Sequence, residues 1–209
     1  MLHEFFIAAG LSLGAMFPII NPIGHAPMFY AMTEGDTPSY RRRMAAKTAL
    51  YTTLILVIAL FAGDSLLNFF GITLDDMRIA GGFMIAAAAW TMLGNNNRVS
   101  AAESEAACDK ADISLTPMAT PILAGPGAMS LSIGLTAYGK APVAYLGYLA
   151  GFAAIGLMTW VALRYSDLLV RVMSPNAIGA LNRILGFFIL AIGVNLMVDG
   201  IHNSFFASR

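Results

Sequence analysis

The sequence contains few charged residues. Asp, Glu, Lys and Arg make up 11% of its 209 residues, whereas a soluble domain carries about 25%. Hydrophobic residues account for 58%, and the mean hydropathy is +0.71. Such a chain lacks the polar side chains that a water-exposed surface needs, so the composition predicts an all-α polytopic membrane protein. Membrane lipid is therefore its first expected partner.

Signatures of enzymes and cofactor sites are also missing from the sequence. The single cysteine, Cys108, excludes an intramolecular disulfide and a cysteine-based metal cluster. There is no HExxH, no GxSxG, no Walker A lysine and no carboxylate pair within an apolar segment. We therefore expect a protein that is not an enzyme, with no catalytic residue, metal site or cofactor. Without a nucleotide site, active transport would have to use an ion gradient.

Apolar stretches long enough to cross a membrane occur six times. A spanning helix needs about 20 mostly apolar residues. The candidate transmembrane segments are 5–30, 45–63, 72–94, 115–138, 142–164 and 181–201. Prolines and glycines, which break helices, interrupt the first near 18–27 and the fourth near 117–127. We expect the first segment to be retained, because Met1-Leu2-His3-Glu4 has no Lys or Arg of a signal peptide.

Two sequence motifs recur in the same order in the two halves of the chain. Pro18-Ile19-Ile20-Asn21-Pro22-Ile23 returns as Pro117-Met118-Ala119-Thr120-Pro121-Ile122, and Arg78-Ile79-x-Gly81-x-Phe83 returns as Arg183-Ile184-x-Gly186-x-Phe188. Each half holds three segments, an odd number, so the second half should lie upside down relative to the first. This pattern predicts a 3+3 inverted repeat with broken helices 1 and 4.

We expect one membrane domain, 1–209, composed of repeat 1 (1–94), a polar loop (95–113) and repeat 2 (114–209). Lys and Arg concentrate in the loops that follow segments one, three and five, above all in Arg41-Arg42-Arg43. Because cytoplasmic loops carry the excess of basic residues, both termini should be periplasmic. The basic cluster has no interleaved aromatic residues, so it indicates orientation and lipid contact and no nucleic-acid binding.

The two breaks are the strongest candidates for a binding site. A helix that stops before Pro22 or Pro121 frees carbonyls that suit a cation, and one that restarts after Gly24 or Gly127 presents amides that suit a carboxylate. A small zwitterion could thus be held without a charged side chain. The alternative is that the prolines only kink structural helices. The predicted substrate-binding residues are Asn21, Pro22, Gly24, Thr120, Pro121, Gly125, Pro126 and Gly127.

Other polar residues are candidates for ion coupling or gating, each with a structural alternative. His25 could titrate near neutral pH or be a polar loop residue, and Asp112 could admit an ion or cap a helix. Arg78 and Arg183 could gate a vestibule, pair with an acid, or extend to the headgroups. Asn195 is expected to face the bundle interior, where its side chain would hydrogen-bond a neighbouring helix. Asn21 and Thr120 could bind substrate, or their side chains could hydrogen-bond the backbone groups that the following prolines leave without partners.

The segments that contain these breaks resemble a known family. Phe17-Pro18 to Pro27 and Pro117 to Ala128 are similar to the signature segments of the MarC family of bacterial and archaeal inner-membrane proteins, and the resemblance covers essentially the whole chain. It implies six segments, an inner-membrane location and, by analogy with some archaeal members, transport of small neutral amino acids. It also implies a variable residue, often Asn, at His25, which argues against a histidine proton switch.

The sequence therefore favours a secondary transporter of a small neutral or zwitterionic solute, coupled to H⁺ or Na⁺. A channel or facilitator for a small neutral solute and a non-transporting membrane scaffold are the alternatives. A homo-oligomer, the direction of transport and the coupling ion are left open.

Overall fold

The computed structural model describes residues 1–94, 112–139 and 141–206, and this part of the chain is helical without a β-strand. The polar residues 95–111, with Cys108 and most of the predicted loop, lie outside it. Eight α-helices are defined in chain order. They are α1 (Leu2–Ile20), α2 (Pro22–Met32), α3 (Pro38–Phe70), α4 (Leu74–Leu93), α5 (Pro126–Gly134), α6 (Pro142–Arg164), α7 (Ser166–Val172) and α8 (Pro175–Phe206).

Between α4 and α5 lies an irregular helical stretch, Ser114–Leu123, which we call the broken segment. A short 3₁₀ turn, Leu135–Ala137, follows α5. The predicted segments correspond to α1 with α2, α3, α4, the broken segment with α5, α6, and α8. The short helix α7 was not predicted.

Local sequence explains where the long helices begin and end. The Thr37 side chain accepts a hydrogen bond from the Tyr40 amide and so caps α3, while Pro38 occupies the first helical position, where its missing N–H costs nothing. The same helix ends at Gly71, whose φ of 66° is accessible to glycine. Thr73 and Asp76 form a reciprocal capping box at the start of α4.

Four helices, and not six, are long and apolar enough by themselves to cross a membrane within the described residues. They are Leu2–Ile20, Pro38–Phe70, Pro142–Arg164 and Asn176–Phe205. The other two predicted spans fall short for physical reasons. Helix α4 has 20 residues but carries Asp75, Asp76 and Arg78 in its first turns, and the fourth segment is divided into the broken segment and α5, each too short alone.

Helices α4 and α8 form the most extensive pair and run antiparallel. Gly200 of α8 lies against Asp75, Gly193 against Gly82, and Gly186 against Met92, so residue numbers fall on α8 as they rise on α4. Glycines at the contacts allow the two backbones to approach closely, as is common between helices in membranes.

Helices α1 and α6, by contrast, run parallel to each other. Gly147 packs against Ala8, and Gly151 packs against Ser12, so the contacts advance together along both helices. Helix α3 has the same parallel relation to the chain from Asp112 to Ser132, because Lys47 bonds Asp112 and the Leu56 carbonyl accepts from Ser132.

The main core lies between α1, α2, α3, α5, α6 and the broken segment. Its largest fully buried side chains include Tyr148, Phe29, Phe152 and Met16. Large apolar side chains also cover the outside of the helices: Phe69 is 81% exposed and Trp90 is 71% exposed. A bilayer solvates such a surface, whereas water does not.

The close contact between α4 and α8 gives a testable prediction. A Cβ at Gly193 would lie 2.7 Å from the Gly82 carbonyl oxygen, whereas a Cβ at Gly179 of the same helix meets nothing within 4 Å. Gly193→Ala should therefore cost about 1–3 kcal/mol through overpacking. Gly179→Ala should be neutral or stabilising by up to about 1 kcal/mol, because Ala favours a helix.

Thermal unfolding of the two purified variants in one detergent checks this prediction. Equal melting temperatures for the two variants would contradict the packing described for α4 and α8.

Candidate functional site

The first break is made by a single residue, Asn21. Its φ of 42° and ψ of 62° lie in the left-handed region, which Asn tolerates better than most residues other than glycine. Its amide still donates to the Phe17 carbonyl at 2.9 Å and closes α1. Its side-chain oxygen accepts from the Gly24 amide at 3.0 Å and caps α2. The predicted anion-binding amide of Gly24 therefore already has a partner.

The carbonyl side of the same break is closed by His25. Its Nδ1 lies 2.9 Å from the Ile20 carbonyl oxygen and 3.1 Å from that of Asn21. Carbonyl oxygens only accept hydrogen bonds, so Nδ1 carries the hydrogen, and in the neutral ring Nε2 is then an acceptor. His25 lies in the first turn of α2 and not in a loop. It satisfies the carbonyls that were expected to be available to a cation.

A buried amide on α8 completes this first break. The Asn21 Nδ2 lies 3.5 Å from the Asn182 Oδ1, and the two side chains are 1% and 8% exposed. A Cβ at Gly24 would collide with both amides, which explains the glycine there. Sequence reasoning missed Asn182. The available signal was an amide side chain within an apolar segment, but its partner lies 161 residues away in the chain.

The second break has a different geometry. Thr116 (φ −127°, ψ 123°) and Thr120 (φ −134°, ψ 129°) are extended inside the broken segment. Wide-turn hydrogen bonds join the Met118 amide to the Ile113 carbonyl and the Ala124 amide to the Ala119 carbonyl. The Thr120 hydroxyl donates to the Ala124 carbonyl at 3.1 Å. The Thr120 side chain thus bonds the backbone of its own break, as the Asn21 side chain does in the first break.

The N-terminus of α5, which follows this break, has no side-chain cap among the described residues. Its N-cap is Gly125, and its first residue is Pro126, which has no N–H. The next two amides, of Gly127 and Ala128, precede the first intrahelical bond, which joins the Met129 amide to the Gly125 carbonyl. Amides in this position, at the positive end of a helix, are suited to an anion.

A cavity of about 270 Å³ opens at this helix end. It brings together five of the residues predicted from the sequence, namely His25, Pro121, Gly125, Pro126 and Gly127. Met84, Ala88 and Thr91 of α4 form another part of its wall. The two breaks therefore meet at one cavity, to which the first contributes His25 and the second contributes a helix N-terminus.

The remaining predicted substrate residues lie outside the lining of this cavity. Asn21 and Gly24 hold the first break together, Thr120 holds the second, and Pro22 lines a separate apolar groove with Phe17. At Asn21, Gly24 and Thr120 the hydrogen bonds show the structural role, in which the residues hold the interrupted backbone together.

Asp112 bonds the first residue of the broken segment and pairs with α3. Its Oδ1 accepts from the amide and the hydroxyl of Ser114, and its Oδ2 lies 2.5 Å from Lys47 Nζ. Desolvation raises the pKa of the Asp112 carboxyl, but the bonds from Lys47 and Ser114 outweigh it and lower that pKa from 3.8 to about 2. Asp112 is therefore ionised at neutral pH, where it does not exchange a proton.

Arg78 and Arg183 lie at opposite ends of the α4–α8 pair. Arg78 lies beside Gly200 and donates to Asp75 Oδ1 at 2.8 Å, so it pairs with an acid. Arg183 is exposed, near the end where Gly186 meets Met92. Neither arginine lines the cavity.

Asn195 does not face the bundle interior, contrary to expectation. It is exposed on α8, and its Nδ2 donates to Asp199 Oδ2 at 3.1 Å, one turn further along the same helix. Which side of α8 faces inward is set by its glycine contacts with α4, and Asn195 falls on the opposite side.

The role of Asn21 can be tested by comparing two substitutions. Asn21→Ala and Asn21→Gly both remove the partner of Asn182, but only glycine keeps easy access to a positive φ. As a cap, glycine costs only a few tenths of a kcal/mol, whereas alanine costs about 0.5–2. We expect Asn21→Ala to melt at a clearly lower temperature than Asn21→Gly in the same detergent. Equal melting would show that the left-handed break is not required.

Comparison with known proteins gives a consistent assignment. Residues 4–205 match the family described as MarC family integral membrane protein. UPF0056 membrane protein YhcE of Escherichia coli (strain K12) is 35% identical over 196 residues, which cover 91% of this chain and 90% of YhcE. UPF0056 membrane protein YvbG of Bacillus subtilis (strain 168) is 30% identical, with 98% of both chains covered.

UPF0056 inner membrane protein MarC of Citrobacter koseri is 28% identical, with 96% of both chains covered. No solved structure matches the chain. The match to the family extends over both breaks and reaches from α1 to α8. This chain therefore belongs to the MarC family of integral membrane proteins.

Proposed function

We propose that this protein is a secondary transporter of a small neutral or zwitterionic solute, such as a neutral amino acid, in the bacterial inner membrane. One observation carries the proposal. The uncapped N-terminus of α5 and the ring of His25, each from a different break, line the same cavity of about 270 Å³. Paired helix breaks of this kind mark substrate sites in transporters built from repeats.

The chemistry of the cavity suits the two ends of an amino acid. The amides of Gly127 and Ala128 would bind a carboxylate, and the helix dipole would add to that attraction. The neutral His25 ring, with hydrogen on Nδ1, would accept from an ammonium group at Nε2. The cavity lies below the range of about 300–1,000 Å³ that is typical of sites for drug-sized ligands. A small solute therefore fits it better than a large one.

The helix arrangement supports alternating access by an inverted repeat. In repeat 1 the chain passes through α1–α2, α3 and α4, and in repeat 2 through the broken segment with α5, then α6 and α8. The parallel pair of α1 with α6 corresponds to the parallel pair of α3 with the broken segment. The third segments of the repeats, α4 and α8, pack antiparallel, as an inversion requires. Rocking of one repeat against the other would expose the cavity alternately.

Counterflow of radiolabelled alanine into proteoliposomes preloaded with unlabelled alanine tests the proposal. Ala88 and Ala87 are neighbours on α4 and are both exposed, but only Ala88 lines the cavity. We expect Ala88→Phe to lose at least about tenfold in counterflow by filling the cavity, and Ala87→Phe to retain it.

The outcomes separate the rival functions. Loss in both variants, or in neither, would contradict the assignment of the cavity. Flux without counterflow would favour a channel. Folded, correctly inserted protein with no signal for alanine, glycine or serine would reject the transport of neutral amino acids and favour a scaffold.

The proposed orientation gives a separate prediction. In a Cys108→Ser background, His3→Cys and Ser204→Cys should react with a membrane-impermeant maleimide added outside spheroplasts, because both termini are proposed to be periplasmic. Glu34→Cys, between α2 and α3, should react only after lysis. All three positions are exposed. The reverse pattern of labelling would show that the topology is opposite to the proposed one. Labelling of all three positions from outside would contradict the proposed orientation.

A further inference from the structure

Two threonines on α3 differ from four other hydroxyl-bearing residues that lie in the helices or directly after them. Ser12, Thr33, Thr53 and Thr159 each donate to a carbonyl of the preceding turn, at 2.8–2.9 Å, which is the usual arrangement for a hydroxyl in an apolar helix. Thr48 and Thr52 are both 0% exposed. Neither of their hydroxyl oxygens has a hydrogen-bond partner among the described residues.

Such groups are rare because burying a hydroxyl without a partner is unfavourable. Thr48 and Thr52 are one turn apart on the same buried face of α3, so their side chains are neighbours there. The Ser166 hydroxyl, at the start of α7, is also unpartnered, but it stands alone there. A buried polar pair without partners points to a ligand that binds between the two side chains.

The position of the pair in the bundle follows from its neighbours on α3. On one side of the pair, Thr53 packs against Gly156 of α6. On the other side, Lys47 bonds Asp112, and Tyr51 lines a cavity of about 390 Å³ together with Thr116. Thr48 and Thr52 therefore lie between α6 and the broken segment, close to an open polar cavity.

The broken segment can supply further oxygen atoms at this place. Pro117 and Pro121 have no N–H, so they cannot bond carbonyls of the preceding turn. Thr116 and Thr120 are extended, which turns their peptide groups out of the helical direction. Unwound backbone of this kind provides carbonyl oxygens for small cations inside membranes.

We propose that Thr48 and Thr52 are ligands of a Na⁺ site, which backbone carbonyls of the broken segment complete. Hydroxyl and carbonyl oxygens are hard, neutral ligands that suit a monovalent cation, whereas divalent cations are usually held by carboxylates. The Asp112 carboxylate already bonds Lys47, the residue before Thr48. The cavity that Tyr51 lines, next to Thr52 in the chain, would provide the route of entry. That this ion drives solute movement rests on the proposed transport function, but its binding does not.

The test measures the melting temperature of the purified full-length protein in detergent, without solute. NaCl, KCl and choline chloride are compared at equal ionic strength. We expect Na⁺ alone to raise the melting temperature of the wild type in a saturable way, by about 3–6 °C at ten times the dissociation constant. Thr48→Val and Thr52→Val, alone and combined, keep the side-chain shape but remove the hydroxyl, so they should abolish the shift.

Thr53→Val is the matched control, because its hydroxyl already bonds the Ala49 carbonyl, and it should keep the Na⁺ shift. Thr48→Ser and Thr52→Ser retain the hydroxyl and should keep it as well. In choline chloride, the two valine variants should melt no lower than the wild type, since an unpartnered hydroxyl is removed.

Several outcomes would overturn the proposal. If the wild type melts at the same temperature in NaCl and in choline chloride, the site is excluded. This outcome needs no variant, so it holds even if a variant fails to fold. A shift retained in the Thr48→Val/Thr52→Val double variant places the ion elsewhere. Lower melting of the valine variants in every salt, without Na⁺ dependence, identifies a buried water. Because no solute is used, the result is independent of alanine counterflow.

Discussion

Every backbone polar group inside a bilayer must find a partner within the protein, and this constraint governs both breaks. A proline in a membrane helix removes one donor and leaves carbonyls of the preceding turn without their amides. The first break meets the constraint with its own side chains. Asn21 caps α2, and His25 bonds the carbonyls of Ile20 and Asn21. The buried amide of Asn182 fixes this arrangement from α8.

The second break meets the same constraint only in part, and the proposed site lies there. Thr120 bonds the Ala124 carbonyl, but the helix that follows starts at Gly125-Pro126 without a side-chain cap in the described part of the chain. Its amides of Gly127 and Ala128 lie beside a cavity. Two breaks that derive from similar sequence motifs thus have different roles. The first is held together by its own side chains and places His25 at the cavity, and the second presents the helix N-terminus at which the proposed solute carboxylate would bind.

Much of this arrangement could be predicted from the sequence, because prolines and glycines act locally. The positions of both breaks and the bounds of α6 follow from local rules. The partners of the breaks could not be predicted, because Asn182 reaches Asn21 only through the packing of distant helices. The exposure of Asn195 depends on the rotation of α8, which its glycine contacts with α4 determine. The hydroxyls of Thr48 and Thr52 look ordinary in sequence and become unusual only when their surroundings are known.

The most direct test of this account is the response of individual backbone amides to the solute. Pro126-Gly127 is the only Pro-Gly pair in the sequence. Labelling proline with ¹³C and glycine with ¹⁵N therefore identifies the NMR signal of the Gly127 amide uniquely. Titration with alanine should shift the Gly127 signal saturably, and by more than the signal of the Gly24 amide, which Asn21 already bonds. A saturable shift at Gly24 without one at Gly127 would place the solute at the first break and contradict the account.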